Sequence, residues 1–261
     1  MILEDIVVST RERLRDRMVA LPLESLKAEA ARMGSDTGFP FERAISAPGL
    51  SVICEVKRAS PSRGTISRDF PYLEIAEEYE ACGASAVSVV TEPRYFGGAD
   101  VHLGRISSRI GIPVLRKDFT LDEYQIYEAR ALGASAVLLI CSILEDCELE
   151  SMIRTAHGLG MSALTEVRDE RELERALDAG AAMVGVNNRD LRDFTVDIGN
   201  SLRLAPLIPE DVLFLSESGI RGPEDAALLR GCGADAVLVG EYLMTSEDRR
   251  GAVAGLAGRC R

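Results

Sequence analysis

The apolar positions of this chain follow two different periods. Nearly unbroken apolar runs recur at about 51–57, 86–90, 113–117, 136–140, 162–166, 182–187, 212–216 and 236–239. Runs that short, apolar at almost every position, predict strands buried on both faces. Stretches with helical period fill the gaps, among them PYLEIAEEYEAC, LDEYQIYEARAL and DERELERALDAG. One phrase marks the junctions: GASAVSVV at 83, GASAVLLI at 133, GAAMVGVN at 180 and GADAVLVG at 233, spaced 50, 47 and 53 residues apart. Its glycine suits the left-handed position that closes a helix, and the rest enters the next strand.

Eight such strand–helix units in about 205 residues predict an α/β chain of the (β/α)8 kind, a TIM barrel, rather than an open doubly wound sheet. The GxGxxG that a dinucleotide-binding sheet carries after its first strand is absent. Residues 1–48 precede the barrel as an N-terminal helical extension of one or two helices, broken near Pro22, and residues 49–261 form the barrel. No Ser/Gly-rich linker divides them, so one domain over 1–261 is expected.

In such a barrel the chemistry sits at the C-terminal ends of the strands. The last inward-capable residues there are Glu55 and Lys57, Lys117, Glu166, Asn187 and Glu217. Strand interiors are otherwise expected to be apolar. Glu55 and Lys57, two apart in a strand, share one face, and an ion pair buried for stability alone is roughly cancelled by its desolvation. Three carboxylates and two ammonium groups, with Asn187, converge from five strands. That ensemble reads as a functional mouth rather than a set of rim ion pairs. Three loops look built for an anion: SPSRG (60–64), SESGIRGPED (216–225) and VGEYL (239–243). The last two occupy the usual phosphate position of the fold, with backbone N–H groups of Ser218, Gly219, Gly240 and Glu241 facing the anion.

Composition acts mainly by exclusion. With 46% hydrophobic and 28% charged residues the chain is an ordinary globular one, and a net charge of -12 argues against nucleic-acid or anionic-membrane partners. The longest apolar stretch, 134–144, is too short to span a bilayer. The N-terminal MILEDIVVSTRERLRDR reads as a charged amphipathic helix without a signal-peptide core, so a cytoplasmic location is expected. Six cysteines without CxxC spacing are expected to be reduced thiols, mostly buried. His102 and His157 stand far apart, outside any ligand spacing, and no metal site is expected. Of 30 basic residues only Lys27, Lys57 and Lys117 are lysines, and two of these end apolar strands. Unlike a guanidinium, an ammonium gives up its proton near neutrality once its pKa is pushed down, and that downward shift is expected of Lys117.

These residues resemble a known family. CEVKRASPSRG (54–64), YFGG (95–98), LRKDF (115–119), TEV (165–167), GVNNRDL (185–191), SESGI (216–220) and LVGEYLM (238–244) are similar, in order and spacing, to the motifs of the indole-3-glycerol phosphate synthases. The likeness spans residues from about 50 to 245 and is weaker in the N-terminal helices. It implies a carboxy-lyase of tryptophan biosynthesis that needs no metal or organic cofactor. Its substrate would be 1-(o-carboxyphenylamino)-1-deoxyribulose 5-phosphate, which undergoes ring closure, decarboxylation and dehydration to indole-3-glycerol phosphate.

The resemblance also implies roles. Lys117 is the acid that protonates the ketone oxygen, Glu166 serves the dehydration, and Asn187 holds the intermediate's hydroxyl. Lys57 meets the substrate carboxylate or phosphate, with Glu55 holding Lys57 and Lys117 in place. Phe96 and Phe119 line a slot for the anthranilate ring. Glu217 and Arg189 are further substrate contacts, and Ser60, Ser218, Gly219, Gly240 and Glu241 grip the phosphate. The partner is that small molecule; association with other tryptophan-pathway enzymes is left open.

There are two departures from the family pattern. Cys141-Ser142 lacks the lysine that some members carry after the fourth strand, so no catalytic role is assigned there. Tyr242 stands where a small residue is common. The nearest rival is another phosphate-binding barrel, phosphoribosylanthranilate isomerase, which would use a cysteine on the first strand and an aspartate across the barrel. Here Cys54, next to Glu55, should face the other way, and Glu166 stands where the aspartate would be. A barrel that only binds a sugar phosphate would need no Lys117–Glu166 pair.

Overall fold

The recurrent glycines make the junctions that the repeat predicts. Gly83, Gly133, Gly180 and Gly233 have φ of 83°, 85°, 82° and 93°, a left-handed backbone that a side chain disfavours. Each ends a helix and turns the chain into a strand. The computed structural model describes residues 2–190 and 194–258. Leu191, the last residue of GVNNRDL, and Cys260 lie outside the described residues.

Eight parallel strands among the described residues form one closed barrel: β1 (Ser51–Val56), β2 (Ala86–Val90), β3 (Val114–Lys117), β4 (Ala136–Ile140), β5 (Ser162–Val167), β6 (Met183–Asn187), β7 (Leu213–Glu217) and β8 (Ala236–Val239). Each strand pairs with its sequence neighbours, and β1 closes the ring by pairing with both β2 and β8. Each strand lies within a residue or so of its expected place. Helices α1 (Ile2–Ala20), α2 (Leu23–Met33) and α3 (Pro40–Ile45) precede the barrel. One helix follows each of β1 to β7: α4 (Tyr72–Ala81), α5 (Asp100–Ser107), α6 (Glu123–Ala131), α7 (Asp146–Gly158), α8 (Glu170–Asp178), α9 (Gly199–Leu204) and α10 (Pro223–Gly231). After β8 come the single turn α11 (Glu241–Met244) and α12 (Arg249–Leu256). A two-residue ribbon, Ala59–Ser60 against Gly64–Thr65, projects beyond β1.

The extension holds three helices rather than one or two. At six residues, α3 is too short to show a period, yet it closes the bottom of the barrel. Phe41 and Ile45 are fully buried among inward side chains such as Ile53, Ala86 and Ala136, and the Ser51 hydroxyl donates to the Ala44 carbonyl at 3.1 Å. The alternate strand residues Val52, Cys54 and Val56 belong to the outer layer between strands and helices.

Two further expectations are corrected. Strand interiors are not uniformly apolar: Arg116 of β3 is 1% exposed and points outward into a polar network. It donates to Asp100 at 2.7 Å, to Glu128 at 2.7 Å and to the Gln125 carbonyl at 2.9 Å. Arg17 of α1 joins the same carboxylates, so opposite charges take the place of water. Nor are the thiols mostly buried. Cys54 and Cys141 are, but Cys82 and Cys232 are half-buried at helix C-caps and Cys147 is exposed in the first turn of α7. Helix ends lie at the surface, and three of the described cysteines sit there.

Candidate active site

Strand register brings the ionisable groups together at the barrel's C-terminal end. Lys117 ends β3 opposite Val90, Glu166 lies in β5 opposite Ile140, and Asn187 ends β6 opposite Glu217 of β7. Lys117 Nζ sits between two carboxylates, 3.1 Å from Glu166 Oε2 and 3.2 Å from Glu217 Oε2. Asn187 donates to the other Glu166 oxygen at 3.0 Å, which leaves that carboxylate clamped between an ammonium and an amide. Lys57 Nζ donates to Glu55 Oε1 at 2.5 Å. Glu55 pairs with Lys57, not with Lys117; its reach to Lys117 is electrostatic, which corrects the expectation that it holds both.

Lys117 is also not tuned downward. Burial alone would lower it, but Glu166, then Glu217 and Glu55, outweigh burial and raise it above an ordinary lysine. It is a firmly held cation. The group brought near neutrality is Glu217: burial raises it, Lys117 opposes and Glu166 adds to the rise, leaving it at about 7. Glu217 is 1% exposed, and its Oε1 has no hydrogen-bond partner among the described residues. For Glu55, burial pulls upward, but Lys57 and Lys117 prevail and hold it below the usual carboxylate range.

The rest of the mouth has an apolar side and a side of backbone turns. Phe96 and Phe119 form the first, ring centroids 6.2 Å apart at 41°. The second is made by backbone after β7 and β8. Ser218 and Gly219 take positive φ, 67° and 79°, in succession, and both line the cavity. Gly240 precedes α11, whose first residue is Glu241. Every residue singled out from the sequence lines one cavity of about 660 Å³: Glu55, Lys57, Ser60, Phe96, Lys117, Phe119, Glu166, Asn187, Arg189, Glu217, Ser218, Gly219, Gly240 and Glu241. Arg189 is oriented by its own N–H, which donates to Asn187 Oδ1 at 2.9 Å, and by a guanidinium bond to the Phe194 carbonyl at 3.3 Å.

Sequence reasoning missed several parts. Buried Ile6 of α1 joins the interior cluster that contains Phe119 and Ile140, with Ile2, Leu3 and Phe96 packed against it. The extension therefore contributes to the interior cluster to which the two aromatic rings belong. Glu92 and Asp118 line the cavity, as does Arg63, whose guanidinium reaches Glu241 Oε1 at 2.5 Å and ties the loop after β1 to α11. The SPSRG motif pointed to Arg63; nothing local pointed to Ile6. A second cleft of about 760 Å³, lined by Val7, Val8 and Arg171, shares Glu166, Asn187 and Arg189 with the first. His102 stacks beside Phe70 and Tyr72, and His157 lies against Phe39.

The family model for indole-3-glycerol phosphate synthase matches residues 3–256. The chain belongs to the indole-3-glycerol phosphate synthase family. Among synthases of the family, that of Ruminiclostridium cellulolyticum is 49% identical over 258 residues, 99% of each chain. The one from Endomicrobium trichonymphae is 50% identical over 246 residues, 94% of this chain and 95% of its own. The Streptomyces griseus synthase is 44% identical, covering 98% of this chain and 94% of its own. In fold alone the family barrel resembles a crystal structure of 3-hexulose-6-phosphate synthase, with TM-score 0.65 and 16% identity over 81% of this chain and all of that one. No helix among the described residues is long and apolar enough to cross a membrane.

Proposed function

We propose that this chain is an indole-3-glycerol phosphate synthase, a carboxy-lyase of tryptophan biosynthesis. The aromatic carbon bearing the carboxylate bonds to the ketone carbon of 1-(o-carboxyphenylamino)-1-deoxyribulose 5-phosphate. Carbon dioxide and then water leave, and the indole ring remains. The observation that carries this reading is one ammonium, Lys117, held about 3 Å from both Glu166 and Glu217, in a cavity also lined by Phe96, Phe119 and the turn of Ser218 and Gly219.

The substrate phosphate rests on the N–H groups of Ser218, Gly219, Gly240 and Glu241, with Ser60 and Arg189 beside it. Its aromatic ring enters between Phe96 and Phe119. Lys117 then faces the ketone oxygen, where an ammonium stabilises the developing negative charge and delivers the proton. Lys57, braced by Glu55, meets the substrate carboxylate. Glu166, oriented by Asn187, takes the proton lost in the dehydration. None of these steps calls for a metal or cofactor. The enzyme would work in the cytoplasm, as one domain over 1–261, with 1–48 as the extension. The other enzymes of the pathway are candidate protein partners.

The isomerase reading loses its cysteine, because Cys54 lies in the outer layer and burial drives its thiol well above the ordinary value. A binding-only barrel leaves the Lys117–Glu166 pair without a task. The test is direct: the substrate is added and indole fluorescence followed, against a protein that contains no Trp. Turnover that survives exhaustive chelation is expected. No turnover, or turnover restored only by a divalent ion, overturns the proposal.

A further inference from the structure

A side chain between the acid and the aromatic slot has no part in the roles above. Asp118 follows Lys117 and points the other way, its side chain wholly out of solvent. Its Oδ1 accepts the Phe119 N–H at 2.9 Å and Arg13 at 3.0 Å. Its Oδ2 accepts the Thr91 hydroxyl at 2.7 Å, Arg13 at 3.1 Å and Arg116 at 3.4 Å. Burial works against its charge, but Arg116 and Arg13 prevail, so the acceptor stays ionised.

Thr91, at the end of β2, is the other half of the link. Its N–H donates to the Lys117 carbonyl at 3.1 Å while its hydroxyl reaches Asp118. The next residue, Glu92, accepts three successive backbone N–H groups, from Arg94 at 3.0 Å, Tyr95 at 2.7 Å and Phe96 at 3.0 Å. Its carbonyl accepts the Gly98 N–H at 2.8 Å. Glu92 therefore fixes the turn that carries Phe96, and Asp118 fixes the backbone of Phe119. The Thr91 hydroxyl joins the two walls of the slot across neighbouring strands.

We propose that the Thr91–Asp118 hydrogen bond is a positioning link that sets the Phe96–Phe119 slot against Lys117. Thr91 and Asp118 then govern how the aromatic half of the substrate is presented. The inference rests on the ring-closing reaction proposed above. In that reaction a ring carbon must meet the ketone carbon while Lys117 faces the ketone oxygen, and a misplacement of about 1 Å costs up to ~10²-fold. The phosphate turn lies on β7 and β8, separated from β2 by β1, and does not share the link.

Two variants separate positioning from mere stability. Thr91→Val keeps the shape and loses the hydroxyl; Thr91→Ser keeps the hydroxyl and loses a methyl. With Thr91→Val, kcat/KM is expected to fall about 10-fold or more, the inhibition constant of inorganic phosphate to stay put, and Thr91→Ser to behave like the unaltered protein. Unchanged kcat/KM in Thr91→Val, equal loss in both variants, or a parallel shift in phosphate inhibition overturns the link. Titration with anthranilate, read by its own fluorescence, gives a second measure: affinity should weaken in Thr91→Val alone, and equal affinity overturns the inference. Should the unaltered protein fail to turn over its substrate, the proposed function fails, while the anthranilate titration still decides the link.

Discussion

Glu217 is where charge, burial and chemistry meet in one side chain. Three carboxylates face two ammonium groups in the mouth, and burial brings one of them, Glu217, to about 7. Its folded pKa is raised above the ordinary 4.5, so its proton-linked stabilisation is complete below about 4.5 and is lost as pH rises through about 7. Above that range the protein carries a buried charge that an amide would not. Glu217→Gln should therefore gain stability relative to the unaltered protein as pH rises from 5 to about 7, by on the order of 1 kcal/mol per pH unit, with no further gain above that. It should also lose turnover and the near-neutral ionisation in its kcat/KM profile. Urea melts at pH 5 and pH 8 check the first; an unchanged stability difference would refute the charge assignment. The residue itself was legible from strand parity, as were Lys117 and Glu166, since inward positions at strand ends need only a count of two. Its titration was not legible. That depends on burial, which raises Glu217 against the pull of Lys117, while the carboxylates around Lys117 reverse the shift expected of the lysine.

At the scale of elements, the junction of β8 with α11 is governed by space. Gly240 has an ordinary negative φ, so its requirement is not conformational. A Cβ there would collide with Glu55 Oε1 and lie 3.0 Å from Lys57 Nζ. Gly240→Ala must therefore displace the Glu55–Lys57 pair. Turnover should fall by about 10², while stability should drop by only about 1–3 kcal/mol, the usual scale of overpacking. Steady-state kinetics beside a thermal melt check this; full activity would mean that the pair takes no part in the reaction. Strands and most helices were readable because each repeats a period over a whole element. The elements that escaped were α3, too brief for a period, and the role of α1, whose Ile6 joins the barrel's interior cluster through contacts remote in sequence. Arg116 escaped for a related reason. Outward from a barrel strand lies another buried layer, where a charge survives only because Asp100, Glu128 and Asp118 meet it there.

Across the whole molecule the barrel keeps chemistry and stability at opposite ends. The polar mouth occupies the C-terminal ends of the strands, and α3 seals the other end with Phe41 and Ile45, both fully buried. Phe41 shares its cluster with Ala86 and Ala136, the first residues of β2 and β4, so removing its ring opens a cavity that the closed sheet is poorly placed to collapse. Phe41→Ala should cost about 3–5 kcal/mol. Because Lys117 and its carboxylates hang from the far ends of the strands, kcat at 25 °C should stay close to that of the unaltered protein. If the extension and the barrel are one domain, the loss should appear as one cooperative transition at lower temperature, followed alike by circular dichroism and by activity after heating. A variant that melted in two separate steps, the extension first, would divide the domain between 48 and 49. One that kept its Tm but lost turnover would place Phe41 in the working end of the barrel rather than at its base.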